Sequence, residues 1–418
     1  LAETYDLNLR SLSAEADDAG AAGLAEVFAD PLLSDLGVSR RDLAEAVENA
    51  PGVAEGIVRL YRAYLGRRGA DRPDAAASPA EAWPAPVRTP SDWVRDFIQG
   101  HRNHFPELEA KGEALAGAIN AQPYDFAFGA RERLAERHKI EVRVMPAEVL
   151  GDQLRRYDHH RKRLFLSEAL TGAGRAFALA YQLAQSEHGG AIRAAADLGE
   201  APDAPTRNLL RVSLANYLAA AILMPYAPFF EAVEANGYDL DLVRARFGVS
   251  YEQACHRLTT LARPTARGVP FFMLRVDQAG NISKRYASAA FPFSRFGGAC
   301  PRWNIHTCFR TPGRIVTQVI ETPDGDRFFT LSRTVRRSAL AHGADEGEMA
   351  VGLGCELKYA ARLVYSRGTD LAEPASTPVG PACRLCERPA CPQRAAEPAN
   401  RTLKIDDFSK SVSPYPFS

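Results

Sequence analysis

The hydrophobic pattern of this chain changes period at Arg263-Pro264, and that change limits the fold class. Before it, apolar residues recur at helical spacing through much of 22–65, 93–119, 172–187 and 207–223. After it they alternate. FFMLRV and ISKRYA flank Asp277-Gln278-Ala279-Gly280-Asn281, and TQVIET and RFFTLS flank Pro323-Asp324-Gly325-Asp326, so both segments read as hairpins. Two short alternating runs, EVRVM at 141–145 and KRLFL at 162–166, interrupt the helical part. The expectation is an α+β protein. Its N-terminal and central regions are mainly helical with a small sheet, and an antiparallel β-containing C-terminal domain carries a cysteine cluster.

Punctuation divides the chain further. Asp30-Pro31 and Leu36-Gly37 break the first helices, and Ser39 is placed to cap RRDLAEAV. Leu43, Val47, Ile57, Leu60, Tyr61 and Tyr64 form a stripe that suits either a helical core or a dimer seam. Residues 67–90 are rich in Pro and Ala without apolar periodicity, which predicts a linker. The expected divisions are a helical connector or dimerisation region at 14–66, the linker, a central domain at 91–265, a cysteine-bearing domain at 266–391 and a tail at 392–418. Lys and Arg number 51 against 51 Asp and Glu, so the chain has no global electrostatic footprint for nucleic acid. It has no apolar run of membrane-spanning length and no secretory signature, and it reads as cytoplasmic.

In such a compartment, clustered thiols bind metal or do redox work. Cys355, Cys383, Cys386 and Cys391 form a C-x27-C-x2-C-x4-C set followed by Pro392. A single C-x2-C knuckle with a nearby Cys and a trailing Pro resembles the end of a ferredoxin ligand run, and a structural zinc is the alternative. Cys355 is the expected fourth ligand because it opens a predicted helix at 355–365, with Cys300 in its GGACP loop as the rival. Arg384, Arg388 and Arg394 would offset the charge of four thiolates. Cys255 and Cys308 read as buried thiols.

The helix AFALAYQLAQSEH (176–188) follows two short strands, where a zinc peptidase places H-E-x-x-H. Here the run is Tyr181-Gln182-Leu183-Ala184-Gln185, which supplies neither histidine ligands nor a carboxylate base. Active metallopeptidase chemistry would have to draw on His159, His160 or His188, which lie off the required spacing. The next helix, VSLANYLAAAILMP (212–225), is similar to the E-x-E-A-N-x-F-A-A-x-L-L-M-P signature of ImmA/IrrE-like proteins, with Val212 and Leu214 where the acids would stand. The expectation is a zincin-like domain without its catalytic metal. Its cleft would be lined by Phe177, Tyr181 and Tyr217, and Arg155, Arg156, Arg161, Lys162 and Arg163 could supply cations at the mouth.

Together these segments resemble the bacterial short-chain fatty acyl-CoA regulator family over nearly the whole chain. The resemblance rests on DFIQGHRNHFPELE (96–109), the YQLAQ helix, LANYLAAAILMP, RFGGACPRWNIHTCF (295–309), GCELKYAARLVYSRG (354–368), CRLCERPACPQRA (383–395) and the terminal KIDDFSKSVSPYPF. The opening LAETYDLNLRSL resembles the last helix of an XRE-type helix-turn-helix, so that residues 1–13 would end a DNA-binding domain lying mostly upstream of residue 1. The resemblance implies a cytoplasmic, homodimeric transcription factor that is not an enzyme and meets promoter DNA through that domain. It implies a short-chain, propionyl-CoA-like acyl-CoA as effector and a [4Fe–4S] cluster on Cys355, Cys383, Cys386 and Cys391. For the acyl-CoA, Arg155, Arg163, Phe177 and Tyr181 are the first candidates, and Arg336 and Arg337 the alternatives. A zinc-stabilised interaction module without a small-molecule ligand is the remaining rival.

Overall fold

The computed structural model describes residues 23–30, 33, 36–70, 89–119, 126–288, 291, 293, 298–336, 347–399 and 401–417. The expected helix-turn-helix remnant at 1–13 and most of the expected linker lie outside the described residues. Two compact units are present: Leu1–Arg88 with Gly380–Ser418, and Thr89–Val379. This grouping differs from the expected boundaries, and the reason is the sheet described below.

In the first unit, α1 (Arg40–Asn49) begins at Ser39, whose hydroxyl accepts from the Asp42 backbone while the Asp42 carboxylate accepts from Ser39. That reciprocal cap is why the helix starts there. Leu43 and Val47 of α1 pack with Leu24, Val27, Ala54 and Val58, the last two from α2 (Pro51–Ala70). The C-terminal segment joins this unit through Glu387, which accepts from the Arg40 backbone at 3.3 Å and from Arg401 at 3.0 Å.

The second unit opens with α3 (Pro90–Gly100), α4 (Pro106–Ile119) and α5 (Phe126–His138). A three-stranded sheet follows, ordered β1-β3-β2 from β1 (Glu141–Met145), β2 (Arg155–Asp158) and β3 (Arg163–Ser167), with the single turn α6 (Ala147–Leu150) before β2. Next come α7 (Gly172–Asp197) and α8 (Ala204–Leu223). The helical pattern that fades at residue 187 marks a break, not an end: His188 has φ −129° and ψ 19°, and α7 resumes beyond it. Arg133 clamps this point with a bidentate pair to Glu187 at 2.6 and 2.8 Å. Three short helices complete the bundle, α9 (Tyr226–Ala235), α10 (Leu240–Phe247) and α11 (Tyr251–Leu258). Among the described residues no single helix is long and apolar enough to cross a membrane.

The C-terminal strands β4 (Phe272–Val276), β5 (Ile282–Ala287), β6 (Val316–Glu321), β7 (Arg327–Val335), β8 (Met349–Glu356) and β9 (Thr377–Pro378) form one sheet ordered β5-β4-β8-β7-β6-β9. Both expected hairpins are present as β4–β5 and β6–β7. The period of two gives the sheet two apolar faces. Met273, Phe329, Leu331, Val351, Leu353 and Cys355 join the hydrophobic core of the helices. Phe272, Leu274, Ile320, Phe328 and Ala350 form a second core with Cys300, Trp303, Ile305 and Cys308. One face of the sheet packs into the helical core, so 89–379 form one compact unit.

Cys355 is corrected by the same alternation. It does not open a helix. It lies near the end of β8 opposite Phe329, and a 3₁₀ segment begins only at Leu357. The glycines of MAVGLGCE (Gly352 and Gly354) hide the strand pattern. Gly354 is there for space, since a Cβ would come within 2.3 Å of the Phe272 ring.

The helices are locked by a buried ion pair. Arg257 on α11 and Glu109 on α4 are each 1% exposed and meet through two parallel bonds of 2.6 and 2.8 Å. Arg257 also donates to the Met224 carbonyl that ends α8 and to Thr260, while the Tyr217 hydroxyl donates to Glu109. Burial pushes the Glu109 carboxyl up, but Arg257, the Tyr217 hydrogen bond and the nearby His104 together hold it below the ordinary value. A depressed carboxyl contributes stability above its unfolded pKa, and that contribution is lost as the pH falls through the folded value. Replacing Arg257 with Met strands the carboxylate and replacing Glu109 with Gln strands the guanidinium, so each should cost about 3–5 kcal/mol, and Glu109→Gln should also flatten the acid limb of the stability curve. Urea melts between pH 3 and 7 check both; an Arg257→Met protein as stable as the parent would show that the pair is dispensable.

Candidate functional site

The run that would carry a peptidase zinc site is buried in α7, and its side chains satisfy one another. Gln182 donates to the Ser186 hydroxyl at 3.3 Å, and Gln185 donates to the Tyr181 hydroxyl at 3.3 Å. On α8, Val212 is exposed and Leu214 is buried in the core. His159 and His160 sit in the exposed turn between β2 and β3, and His188 lies at the break in α7. Among the described residues, no three His, Cys, Asp or Glu side chains converge to hold a metal ion. With amides and a phenol in place of imidazoles and a carboxylate, this cleft has no group to activate water.

A cation lies against this run instead. The Arg155 guanidinium lies 3.7 Å above the centre of the Tyr181 ring. Its Nη1 is buried and has no hydrogen-bond partner among the described residues. A stacked guanidinium with an open donor is suited to an anionic or carbonyl oxygen arriving in the plane of its fork. Phe177, one turn earlier on α7, is partly buried against the same core.

Strand parity decides which of the expected cations belong there. In the β2–β3 register Arg155 pairs with Leu166 and Asp158 with Arg163. Directly paired residues share a face, and faces alternate along the strand. Arg155 and Tyr157 therefore lie with the buried Leu164 and Leu166, under α7. Arg156 and Arg163 lie on the other side, where Arg156 covers the Phe165 ring and Arg163 pairs with Glu141 at 3.2 Å. The structure thus brings together Arg155, Tyr181 and the α7 face that carries Phe177, and it separates Arg163 from them. The strand β2 itself was read only as a basic run, because three of its four residues are charged. Tyr217 is turned from the expected cleft lining into the ion-pair network of Glu109. Arg336 ends the described part of its segment, and Arg337 lies outside the described residues.

The cysteines fall into two groups. Cys355 is fully buried in the helix-facing core, where burial pushes its thiol up to about 12. As placed, it is a packing residue. Cys300 and Cys308 belong to the opposite core, and Cys255 to the helical one. Cys383, Cys386 and Cys391 instead share one loop, with Cys383 and Cys391 partly exposed. Gly380 makes room there, because a Cβ on it would come within 2.6 Å of the Cys386 sulfur.

Arg394 organises that loop. It is 4% exposed and donates to the carbonyls of Cys383 (2.8 Å), Cys386 (2.6 Å), Arg388 (2.9 Å) and Ala396 (3.3 Å). The Phe417 ring covers it, with the guanidinium carbon 4.9 Å from the ring centre. The expected tail is therefore folded back: Lys404 donates to the Pro416 carbonyl, and Leu403 bridges to Phe417. Arginine is common in loops, and nothing in CPQRA marks one that is buried.

Comparison with known proteins agrees with both halves of this arrangement. Residues 135–259 match the IrrE N-terminal-like domain, and residues 260–415 match the C-terminal domain of short-chain fatty acyl coenzyme A regulators. The HTH-type transcriptional regulator RamB of Mycobacterium tuberculosis is 38% identical over 424 residues, covering 99% of this chain and 88% of that protein. The HTH-type transcriptional regulator PrpR of the same organism is 35% identical over 417 residues, covering 99% and 85%. The propionyl-CoA carboxylase regulator of Cereibacter sphaeroides is 35% identical over 421 residues, covering 99% and 88%. A solved Mycobacterium tuberculosis transcriptional regulator superposes with a TM-score of 0.75 at 37% identity, covering 78% of this chain and 99% of that one. On this evidence the chain belongs to the short-chain fatty acyl-CoA regulator family, whose members are transcriptional regulators and not enzymes.

Proposed function

We propose that this regulator senses a short-chain acyl-CoA of the propionyl-CoA type in the cleft between β2 and α7, and that it acts as a homodimer on promoter DNA. The observation that carries the reading is the buried, unpartnered Nη1 of Arg155 above Tyr181. A cation held in an apolar cleft by one aromatic face lacks a counter-charge, and a phosphate or thioester oxygen supplies it. Tyr181 and Phe177 offer the flat apolar surface against which an acyl or adenine group would lie. The effector would act by binding one arrangement of the protein more tightly than another, and DNA affinity would follow the shift. The relatives' names, which speak of helix-turn-helix regulators and of propionyl-CoA carboxylase, support the DNA and the acyl-CoA sides of this reading.

The same proposal includes a [4Fe–4S] cluster, with zinc as the alternative. The donor chemistry is that of thiols from a single loop with a glycine against Cys386, although among the described residues these thiols do not converge on one point. Cys383, Cys386 and Cys391 would hold the group, and Cys355 is left out because its thiol is packed in a core. When bound, a cluster would supply a redox-sensitive charge centre at that loop.

Two outcomes are expected. In thermal shift assays, propionyl-CoA at 100 times its Kd should stabilise the protein by about 2.7 kcal/mol. Arg155→Met should weaken binding about tenfold or more, while Arg163→Met on the other sheet face leaves it unchanged. No shift with propionyl-, acetyl- or butyryl-CoA at millimolar concentration would end the sensor reading. Separately, anaerobically purified protein should be brown, with iron and sulfide in equal amounts, and Cys386→Ser should lose both. A colourless, zinc-bearing preparation would replace the cluster with zinc.

A further inference from the structure

We propose that Arg394 is the positioning residue of the cysteine loop: it holds the main chain that carries the thiols, which a metal must still draw together, and it balances the charge of the metal-bound thiolates. The proposal rests on the reading of Cys383, Cys386 and Cys391 as metal ligands. Its own support is independent of that reading and lies in how Arg394 is held.

A buried guanidinium normally has a carboxylate beside it, as Arg257 has Glu109, because an unpaired charge out of water is costly. Arg394 is just as buried, yet among the described residues no carboxylate pairs with it. The neighbouring acids are engaged elsewhere, Glu387 with Arg401 and the Arg40 backbone, and Glu397 with Arg384. Its four acceptors are all main-chain carbonyls, and its Nε has no partner among the described residues. Neutral carbonyls satisfy geometry but leave the net charge in place.

Two of those carbonyls belong to Cys383 and Cys386 themselves, and the Arg394 backbone donates to the third cysteine, Cys391, at 3.3 Å. The backbone of Ala395, the next residue, donates to the Cys383 sulfur at 3.5 Å. The side chain of Arg394 therefore fixes where Cys383 and Cys386 leave the main chain, and its backbone N–H ties down Cys391. Each thiol loses its proton when it binds metal, so a loaded site would carry negative charge beside this cation. Partners one step behind the ligands typically change metal affinity by about 10–100-fold when removed. Phe417 completes the device by covering the guanidinium and keeping water from it.

The test uses the full chain stripped of metal and titrated anaerobically with cobalt(II), whose thiolate charge-transfer band reports both affinity and the number of bound sulfurs. The parent should bind with that band, and Arg394→Met should bind about 10–100-fold more weakly with a smaller band. Arg394→Lys keeps the charge but cannot bridge the four carbonyls from one plane, so its affinity should recover in part while the band stays small. Phe417→Ala, which leaves every carbonyl bond in place, should keep the parent's band, and it stands as the reference if Arg394→Met is poorly folded by circular dichroism. Parent-like affinity and band in both Arg394→Met and Arg394→Lys would overturn the assignment. If the parent itself shows no thiolate band, the metal-ligand reading fails, and this inference fails with it.

Discussion

The Glu109–Arg257 pair is the constraint from which the helical half takes its shape. It joins α4 to α11, captures the carbonyl that ends α8, and holds Tyr217 in the middle of that helix. Close packing then follows from small residues. Gly112 on α4 faces Ala221 on α8 so tightly that a Cβ would lie 2.7 Å from the alanine methyl. A buried pair of this kind adds little net stability over a hydrophobic replacement, but it permits only one register between the elements it joins. With α8 fixed, α7 and the small sheet beneath it have a defined floor, and Tyr181 meets Arg155.

The large sheet answers a second demand. Both its faces are apolar, and a sheet of that kind must be covered on both sides. The helices cover one face, and the segment around Trp303 and Cys308 covers the other. Buried polar groups on the second side are satisfied locally. Ser332 donates to the Asn304 side-chain oxygen, and the Asn304 backbone N–H donates to the Gln318 side-chain oxygen. The idiosyncratic wording of 298–309 thus has a physical reason, since that stretch packs as core while capping a polar network.

Much of this was legible where local chemistry decides structure. The cap at Ser39, β1 and both hairpins follow from residues adjacent in sequence. The degenerate zinc run was legible because a missing ligand type is visible without coordinates. What was not legible depends on faces and distant partners. Arg155 and Arg163 look equivalent in a basic run and are separated by one strand's alternation. Cys355 follows a glycine-rich stretch that conceals β8, and its counting distance from Cys383 says nothing of the core that holds it. Arg394 resembles its neighbours Arg384 and Arg388 until burial singles it out.

The stacking of Arg155 on Tyr181 also bears on how such a domain could have diverged. Restoring histidines at 181 and 185 would recreate the letters of a zinc motif but place a metal dication beside a fixed guanidinium. Arg155 would have to be replaced at the same time, and an acid would be needed at 212 or 214, one of which is now core. Each change alone is unfavourable, because every intermediate leaves a charge or a polar group without a partner. A hydrolytic metal site at this position therefore cannot be regained by one substitution, because the groups that now satisfy one another would have to change together.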